Sequence, residues 1–182
     1  MVGSGRPPRS EIRTARLTVR PVRVSETKSF YDHARIPEVT KNAGFLPQSL
    51  VRTRTYLAKS AAEWKKKNPE RMTFSILLKS RKTWIGSIEL RRIYAGVYEA
   101  GIFIHPQFWR NGYATEAAKA VIRWAFRRCG AHRVQASCWV ENKPAAWVLS
   151  KIGFRKEGRM RGYAKVENEL QDDFLFGLTA AD

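Results

Sequence analysis

Between Tyr98 and Cys129 the hydrophobic period of the chain changes, and this change constrains the fold more than any other feature. Tyr98–His105 is an apolar run of strand length, ended by Pro106. From Thr115 to Cys129, Ala118, Val121, Ile122 and Ala125 recur at helical spacing, and Gly130 follows where a left-handed C′ glycine belongs. A strand that runs almost directly into a helix presents unpaired amide donors and the positive end of the helix dipole. In the connecting QFWRNGYATEA, Gly112 and Ala114 are small enough for backbone to close on a diphosphate, and Arg110 supplies a fixed positive charge. A Walker-type loop is excluded by the missing Gly-Lys-Ser/Thr, and a dinucleotide fingerprint by the missing glycine triplet. The residues alone therefore predict an anion site at the start of this helix.

The rest of the chain supplies the sheet and helices around it. Arg16–Pro21 alternates polar and apolar residues as a half-buried strand does. Ser25 opens a helix to about Ala34, and Ser49–Lys67 reads as a second, with Leu50, Leu57, Ala61 and Trp64 on one face. Met72–Leu78 and Thr83–Arg91 form a hairpin across the polar turn Lys79–Lys82. Arg133–Val140 is again a strand, Lys143–Lys151 a short helix closed by Gly153, and Asp173–Leu178 the last strand, with one further strand expected near Phe154. The order β-α-α-β-β-β-α-β-α-β predicts a mixed α/β (α+β) domain built on a central sheet.

No repeat or linker divides the 182 residues, so residues 13–182 are expected to form a single domain behind a flexible basic tail at 1–12. No apolar run reaches the roughly 20 residues that span a bilayer. Cys129 and Cys138 are too few for a disulfide framework, and with three scattered histidines they suggest no metal site. A reduced, cytoplasmic setting is the expectation. The formal net charge of +18 favours phosphate-rich partners such as nucleotides, RNA or ribosomes, or else a merely solvated basic surface.

The segments TARLTVRPV, GIFIHPQFWRNGYATEAAKAVIRWAF, VENKPAAWVLSKIGFRKEG and FLFGL together resemble the GNAT superfamily of acetyl-CoA-dependent N-acetyltransferases. Within it they resemble the ribosomal-protein N-terminal acetyltransferase-like (RimJ/RimL-type) branch. The resemblance runs from about Arg13 to Leu178 and implies a mixed sheet of six to seven strands with about four helices. It implies that the fourth and fifth strands, Tyr98–His105 and Arg133–Val140, splay apart with pantetheine between them. Backbone groups of Phe103 and Ile104 would then hold pantetheine, amides from Arg110, Asn111, Gly112, Tyr113, Ala114 and Thr115 the pyrophosphate, and Asn142 would face the cofactor from the opposite strand end. Trp109 stands where the wider superfamily has Arg or Gln, and this branch commonly has Trp.

The implied reaction is direct attack of a primary amine on acetyl-CoA in a ternary complex, without a metal. Glu99, two residues before Gly101 on the strand leading to the thioester, is the candidate base, with Glu89 on the neighbouring strand in reserve. A backbone amide near Ile104 would be the oxyanion donor. The acid is open, because the family's common Tyr position falls on Leu149 and the branch's Ser position on Ala145; Tyr163 or water is expected to protonate the thiolate. Trp84, Trp139 and Trp147 read as core or interface aromatics, Cys138 as a small buried hydrophobe, His105 as structural, and Glu116 as a partner of the helix dipole. The acceptor implied is a protein N-terminal α-amine. A small-molecule amine (antibiotic or polyamine) and a non-catalytic acyl-CoA-sensing or RNA-docking module are the alternatives, in a monomer or homodimer. Glu167, Glu169, Asp172 and Asp173 form an acidic cluster expected at the acceptor mouth.

Overall fold

The computed structural model describes residues 11–40, 49–166 and 168–182. Among these residues eight strands make one mixed sheet: β1 (Ile12–Arg13), β2 (Leu17–Pro21), β3 (Arg71–Leu78), β4 (Thr83–Tyr94), β5 (Val97–Ile104), β6 (Arg133–Trp139), β7 (Arg155–Val166) and β8 (Glu169–Thr179). Among the same residues five helices accompany them: α1 (Thr27–His33), α2 (Pro37–Thr40), α3 (Leu50–Glu63), α4 (Tyr113–Arg128) and α5 (Lys143–Ile152). The strand order is β1-β2-β3-β4-β5-β6-β8-β7, and β5–β6 is the parallel pair. A parallel pair needs a long crossover, and α4 is that crossover, which is why the period change after Pro106 was informative. The expected mixed α/β architecture holds, with β1 and α2 as additions and the strand near Phe154 present as β7. Residues 1–10 of the expected tail lie outside the described residues, and Ile12 already pairs with Val19.

Local chemistry accounts for the element ends. The Ser49 side chain accepts from the Arg52 amide and caps α3. Gly153 takes φ 104° to end α5, a left-handed conformation that favours glycine. Along α3, Leu57 and Trp64 are buried as expected, while Leu50 stays half exposed in the first turn.

The sheet has two differently furnished faces. Phe74 meets Trp124 of α4 edge to face at 5.4 Å, and the register carries that face across Ile88 to Ile102. Ala117, Val121 and Ala125 of α4 are fully buried against this side. The opposite face carries Thr73, Glu89 and Gly101 in register, and Tyr56 of α3 donates to Glu89 there at 2.9 Å. Helix α1 packs beside α3, so α4 covers one face and α1–α3 the other.

One carboxylate ties α4 to the start of the chain. Glu116 accepts from Thr14 Oγ1 (2.5 Å), the Arg16 amide (2.9 Å) and Arg16 Nε (2.7 Å). Burial would raise its pKa, but the hydrogen bonds from Thr14 and Arg16 outweigh it and hold the carboxyl below its ordinary range. A depressed folded pKa stabilises the fold above the unfolded value, and that stability is lost as pH falls through the folded one. Glu116→Gln is therefore expected to destabilise by about 1–3 kcal/mol at pH 7 in chemical denaturation. The gap should narrow as pH drops below about 4; a gap that persists at low pH would show that charge is not its source.

Candidate functional site

Strands β5 and β6 pair only over Val97–Arg133, Tyr98–Val134 and Glu99–Gln135, and then part. Neither strand is loose, because β5 stays on β4 as far as Ile104 and β6 stays on β8 along its whole length. The opening is thus a wedge inside a continuous sheet. Backbone polar groups alternate sides along a strand. The His105 amide donates to Ile85 O across the β4 side (2.8 Å), so Phe103 also turns its N–H and C=O toward β4. Ala100, Ile102 and Ile104 face the wedge instead. On the far bank the Val140 amide donates to Asp172 O at 3.0 Å, so the even residues of β6 face β8 and Ser137 faces the wedge. Phe103 contributes to the site by its side chain. Ile102, which the sequence reading passed over, presents the backbone edge; only the register reveals that parity.

The wedge opens into a cleft of about 980 Å³. Ile88, Ile102, Ala118, Ile122, Leu149 and Phe154 give it apolar walls. Of the sequence-predicted donor residues, Phe103, Ile104, Trp109, Arg110, Gly112, Tyr113, Ala114, Thr115 and Asn142 border it. Asn111 stands behind the wall, where its side-chain amide donates to Trp109 O (2.8 Å) and braces the loop. Trp109 Nε1 donates to Ile104 O at 2.5 Å, fastening the loop to the end of β5 and occupying that carbonyl.

The start of α4 is built for an anion. Its N-cap is Gly112 at φ 75°, with no side chain to cap the helix, unlike Ser49 of α3 and Asn142 of α5. The first helical bond runs from Glu116 N to Gly112 O (3.0 Å), so the amides of Tyr113, Ala114 and Thr115 precede the ladder. Arg110 also sits in the left-handed region at φ 61°, a strained state for a non-glycine residue that bends the loop around this point. Arg16 lies over the Tyr113 ring at 4.5 Å and donates to Asn111 O at 2.9 Å, holding the loop from outside. Across the wedge, Asn142 Oδ1 accepts the Ala145 amide (3.1 Å) and caps α5. Its cleft position therefore comes with a structural duty. Trp147, expected as a core or interface aromatic, is 59% exposed at the cleft rim and so is not core, and Trp139 also borders the cleft.

On the α1–α3 face the reaction candidates are arranged as follows. Glu99 lies on the same side of β5 as Gly101 and Phe103, outside the cleft wall, with Arg91 at 2.7 Å. Glu89 pairs in register with Gly101 and is held by Tyr56 (2.9 Å) and Thr73 (3.2 Å), with Arg71 at 3.5 Å. A side chain on Gly101 would meet only the Phe103 ring, at 4.0 Å, so the face beside Glu89 is open.

The acidic cluster divides. Glu167 lies outside the described residues, and Glu169 is exposed at the β7–β8 turn. Asp172 is held by the Gly162 amide (2.7 Å) and then Arg159 (2.7 Å), which depress its pKa. Asp173, in register with Trp139, faces the other way toward Ser137. Burial raises the Asp173 pKa, against the pull of the Ser137 hydroxyl and with help from Asp172. Tyr163 is half exposed on a bulged stretch of β7 and does not border the cleft. Cys138 does border it; burial, then the charge of Asp173, push its thiol up to about 11, so it packs as a neutral group. Among the described residues no His, Cys, Asp or Glu cluster suited to a metal occurs. Nor is any helix among them long and apolar enough to cross a membrane.

Known proteins resemble the chain in sequence and in fold. Residues 16–155 match the sequence family described as an acetyltransferase (GNAT) domain. The chain is 28% identical over 168 residues to the uncharacterized N-acetyltransferase YnaD of Bacillus subtilis (strain 168), covering 92% of this chain and 95% of that one. It is 29% identical over 112 residues to the [ribosomal protein uS5]-alanine N-acetyltransferase of Escherichia coli (strain K12), covering 60% and 58%. Among solved structures, the ribosomal α-N-protein acetyltransferase RimL in complex with coenzyme A superimposes with a TM-score of 0.84 at 15% identity, over 93% of this chain and 98% of that one.

Proposed function

We propose that this chain, which belongs to the GNAT acetyltransferase family, acetylates the α-amine of a peptide or protein N-terminus. As a member of that family it is an N-acetyltransferase that takes its acyl group from acetyl-CoA. The observation that carries the proposal is the wedge between β5 and β6, which joins an uncapped helix start on one face to a carboxylate-bearing face on the other. In this reading the pyrophosphate sits on the amides of Tyr113, Ala114 and Thr115 with Arg110 beside it, and pantetheine lies along the backbone of Ala100 and Ile102. Asn142 reaches it from the far bank. The thioester then emerges near Gly101, where the open face admits the amine.

The carboxylates answer a difficulty raised by charge. A surface of net +18 repels a cationic acceptor, yet Glu89, Glu99 and Asp173 share the one face from which the amine approaches. Glu99 takes the amine proton through a water, since its carboxylate stands just outside the wall. With Tyr163 away from the cleft, water returns a proton to the thiolate. One relative is named as a ribosomal protein uS5-alanine N-acetyltransferase and RimL as an α-N-protein acetyltransferase, which supports a protein α-amine as acceptor. The basic surface supports docking on ribosomes in the cytoplasm.

A thiol-release assay with acetyl-CoA over N-terminal peptides, polyamines and aminoglycosides tests this. Peptides are expected to exceed the small amines by about tenfold or more in kcat/KM. The reverse preference would overturn the acceptor class, and no release with any amine would leave a non-catalytic acyl-CoA binder. Ribosomes added at low salt should co-sediment the protein and release it at high salt; failure to co-sediment would reduce the charge to mere surface.

A further inference from the structure

Among the described residues, three buried polar atoms lie together without a hydrogen-bond partner: both ring nitrogens of His33 and Nε1 of Trp84. The two rings meet edge to face with centroids 5.4 Å apart, an arrangement that leaves their polar atoms unengaged with one another. His33 is 4% exposed and borders the cleft. Its other ring neighbour, His105 at 5.8 Å, uses Nδ1 to accept the Gln107 amide. Buried polar side-chain atoms are nearly always bonded, so an unpartnered imidazole against the cleft points to a ligand that bonds it, whereas Trp84 packs behind it and does not border the cleft. Trp124 Nε1 is also unpartnered, but it sits in the core against Trp64 and Phe74, away from this corner.

The kind of ligand follows from charge and position. Burial, reinforced by the neighbouring His105, lowers the His33 pKa to about 4, so the ring is neutral at physiological pH. A neutral imidazole offers one N–H donor and one lone pair. Its complement is a neutral group with one acceptor and one donor, which a peptide amide is and an ammonium is not. Helix α1 carries His33 on the face opposite α4, so the donor enters from one side of the sheet and His33 waits on the other. Resting on the reading that the acceptor is a peptide α-amine, we propose that His33 hydrogen-bonds the first peptide amide of that acceptor. It then works as a positioning residue: the amide docks on His33 where the ring borders the cleft, and the terminal amine extends into the cleft toward the thioester.

The test needs no mutation in its first arm. The native protein is given two acceptors of one sequence, an ordinary peptide and an analogue whose first peptide bond is an ester, which lacks the N–H. The ester analogue is expected to be about tenfold or more poorer in kcat/KM. In His33→Phe the two acceptors should become equal, with the loss on the peptide at least about tenfold larger than on a simple alkylamine. Equal rates for amide and ester in the native protein would overturn the proposal, even if the variant failed to fold. So would a His33→Phe effect on KM for acetyl-CoA, which would assign the ring to pantetheine, or an equal loss on all acceptors, which would assign it to packing. If the native protein turned over amines but no peptide, the acceptor reading itself would fall and this inference with it.

Discussion

Glu99→Gln is expected to lower kcat for peptide acetylation by about 10²–10⁴-fold, the usual span for a lost general base, while KM for acetyl-CoA changes little. Glu99 shares its face of β5 with Gly101 and Phe103, and a side chain built on Gly101 would reach only the Phe103 ring at 4.0 Å. The space a water and an amine require is therefore available beside it. Arg91, at 2.7 Å and half exposed, holds the carboxylate at the edge of that space without sealing it off. Glu89 is nearer to Gly101 in register, but one of its oxygens accepts from both Tyr56 and Thr73, and Arg71 stands 3.5 Å from the other. Burial and then the charge of Glu89 push the Tyr56 phenol further up, so Tyr56 stays a neutral phenol and keeps donating to Glu89. Glu89→Gln is expected to cost less than Glu99→Gln for that reason. An α-amine loses its own proton near pH 8, so the Glu99→Gln deficit should shrink above that pH. Activity within twofold of native at pH 7 would remove Glu99 from the mechanism, and Asp173, with its raised pKa, would be the next carboxylate to replace.

How much of this was legible in the sequence depended on whether a feature is local. The switch from β5 to α4, the Ser49 cap and the Gly153 stop are set within a few residues, and each stands where the residues put it. Strand β7 was reduced to a hint near Phe154. Arg155, Lys156, Glu157, Arg159, Arg161 and Lys165 leave it without an apolar period. A sheet-edge strand is kept charged because its unpaired backbone would otherwise recruit another chain, and that same charge hides it from pattern reading. The two-residue β1 and four-residue α2 are too short to carry a period at all. Site residues divide in the same way. The pyrophosphate loop is contiguous, and nine of the ten donor residues expected from the sequence border the cleft, with Asn111 bracing it from behind. The parity that turns Ile102 rather than Phe103 into the wedge is fixed by register with β4, which no residue type encodes. Asp172 and Asp173 look equivalent in sequence and point to opposite sides of β8. His33 read as one of three scattered histidines; its meaning lies in Trp84 and the cleft, which are distant in sequence.

Gly112→Val is expected to raise KM for acetyl-CoA by about 10²-fold, equivalent to about 2.7 kcal/mol of binding, with kcat reduced far less. Two effects combine. Gly112 holds φ 75°, where a β-branched residue is strained, and relieving that strain rotates the amides of Tyr113, Ala114 and Thr115 away from their common focus. A side chain there would also sit 3.5 Å from the Arg16 guanidinium, which braces the loop through Asn111 O and the Tyr113 ring. Global stability should fall only modestly, because the position is exposed and the core beneath α4 is untouched. The contrast with Glu116→Gln separates two kinds of damage at one helix start. Losing the Glu116 carboxylate loosens the attachment of α4 and should show chiefly in unfolding. Changing Gly112 alters the amides that meet the ligand and should show chiefly in acetyl-CoA affinity, measured directly by calorimetry as well as by KM. An acetyl-CoA affinity unchanged in Gly112→Val would mean that the pyrophosphate is not held by this helix start, and the donor side of the site would have to be sought elsewhere on the cleft.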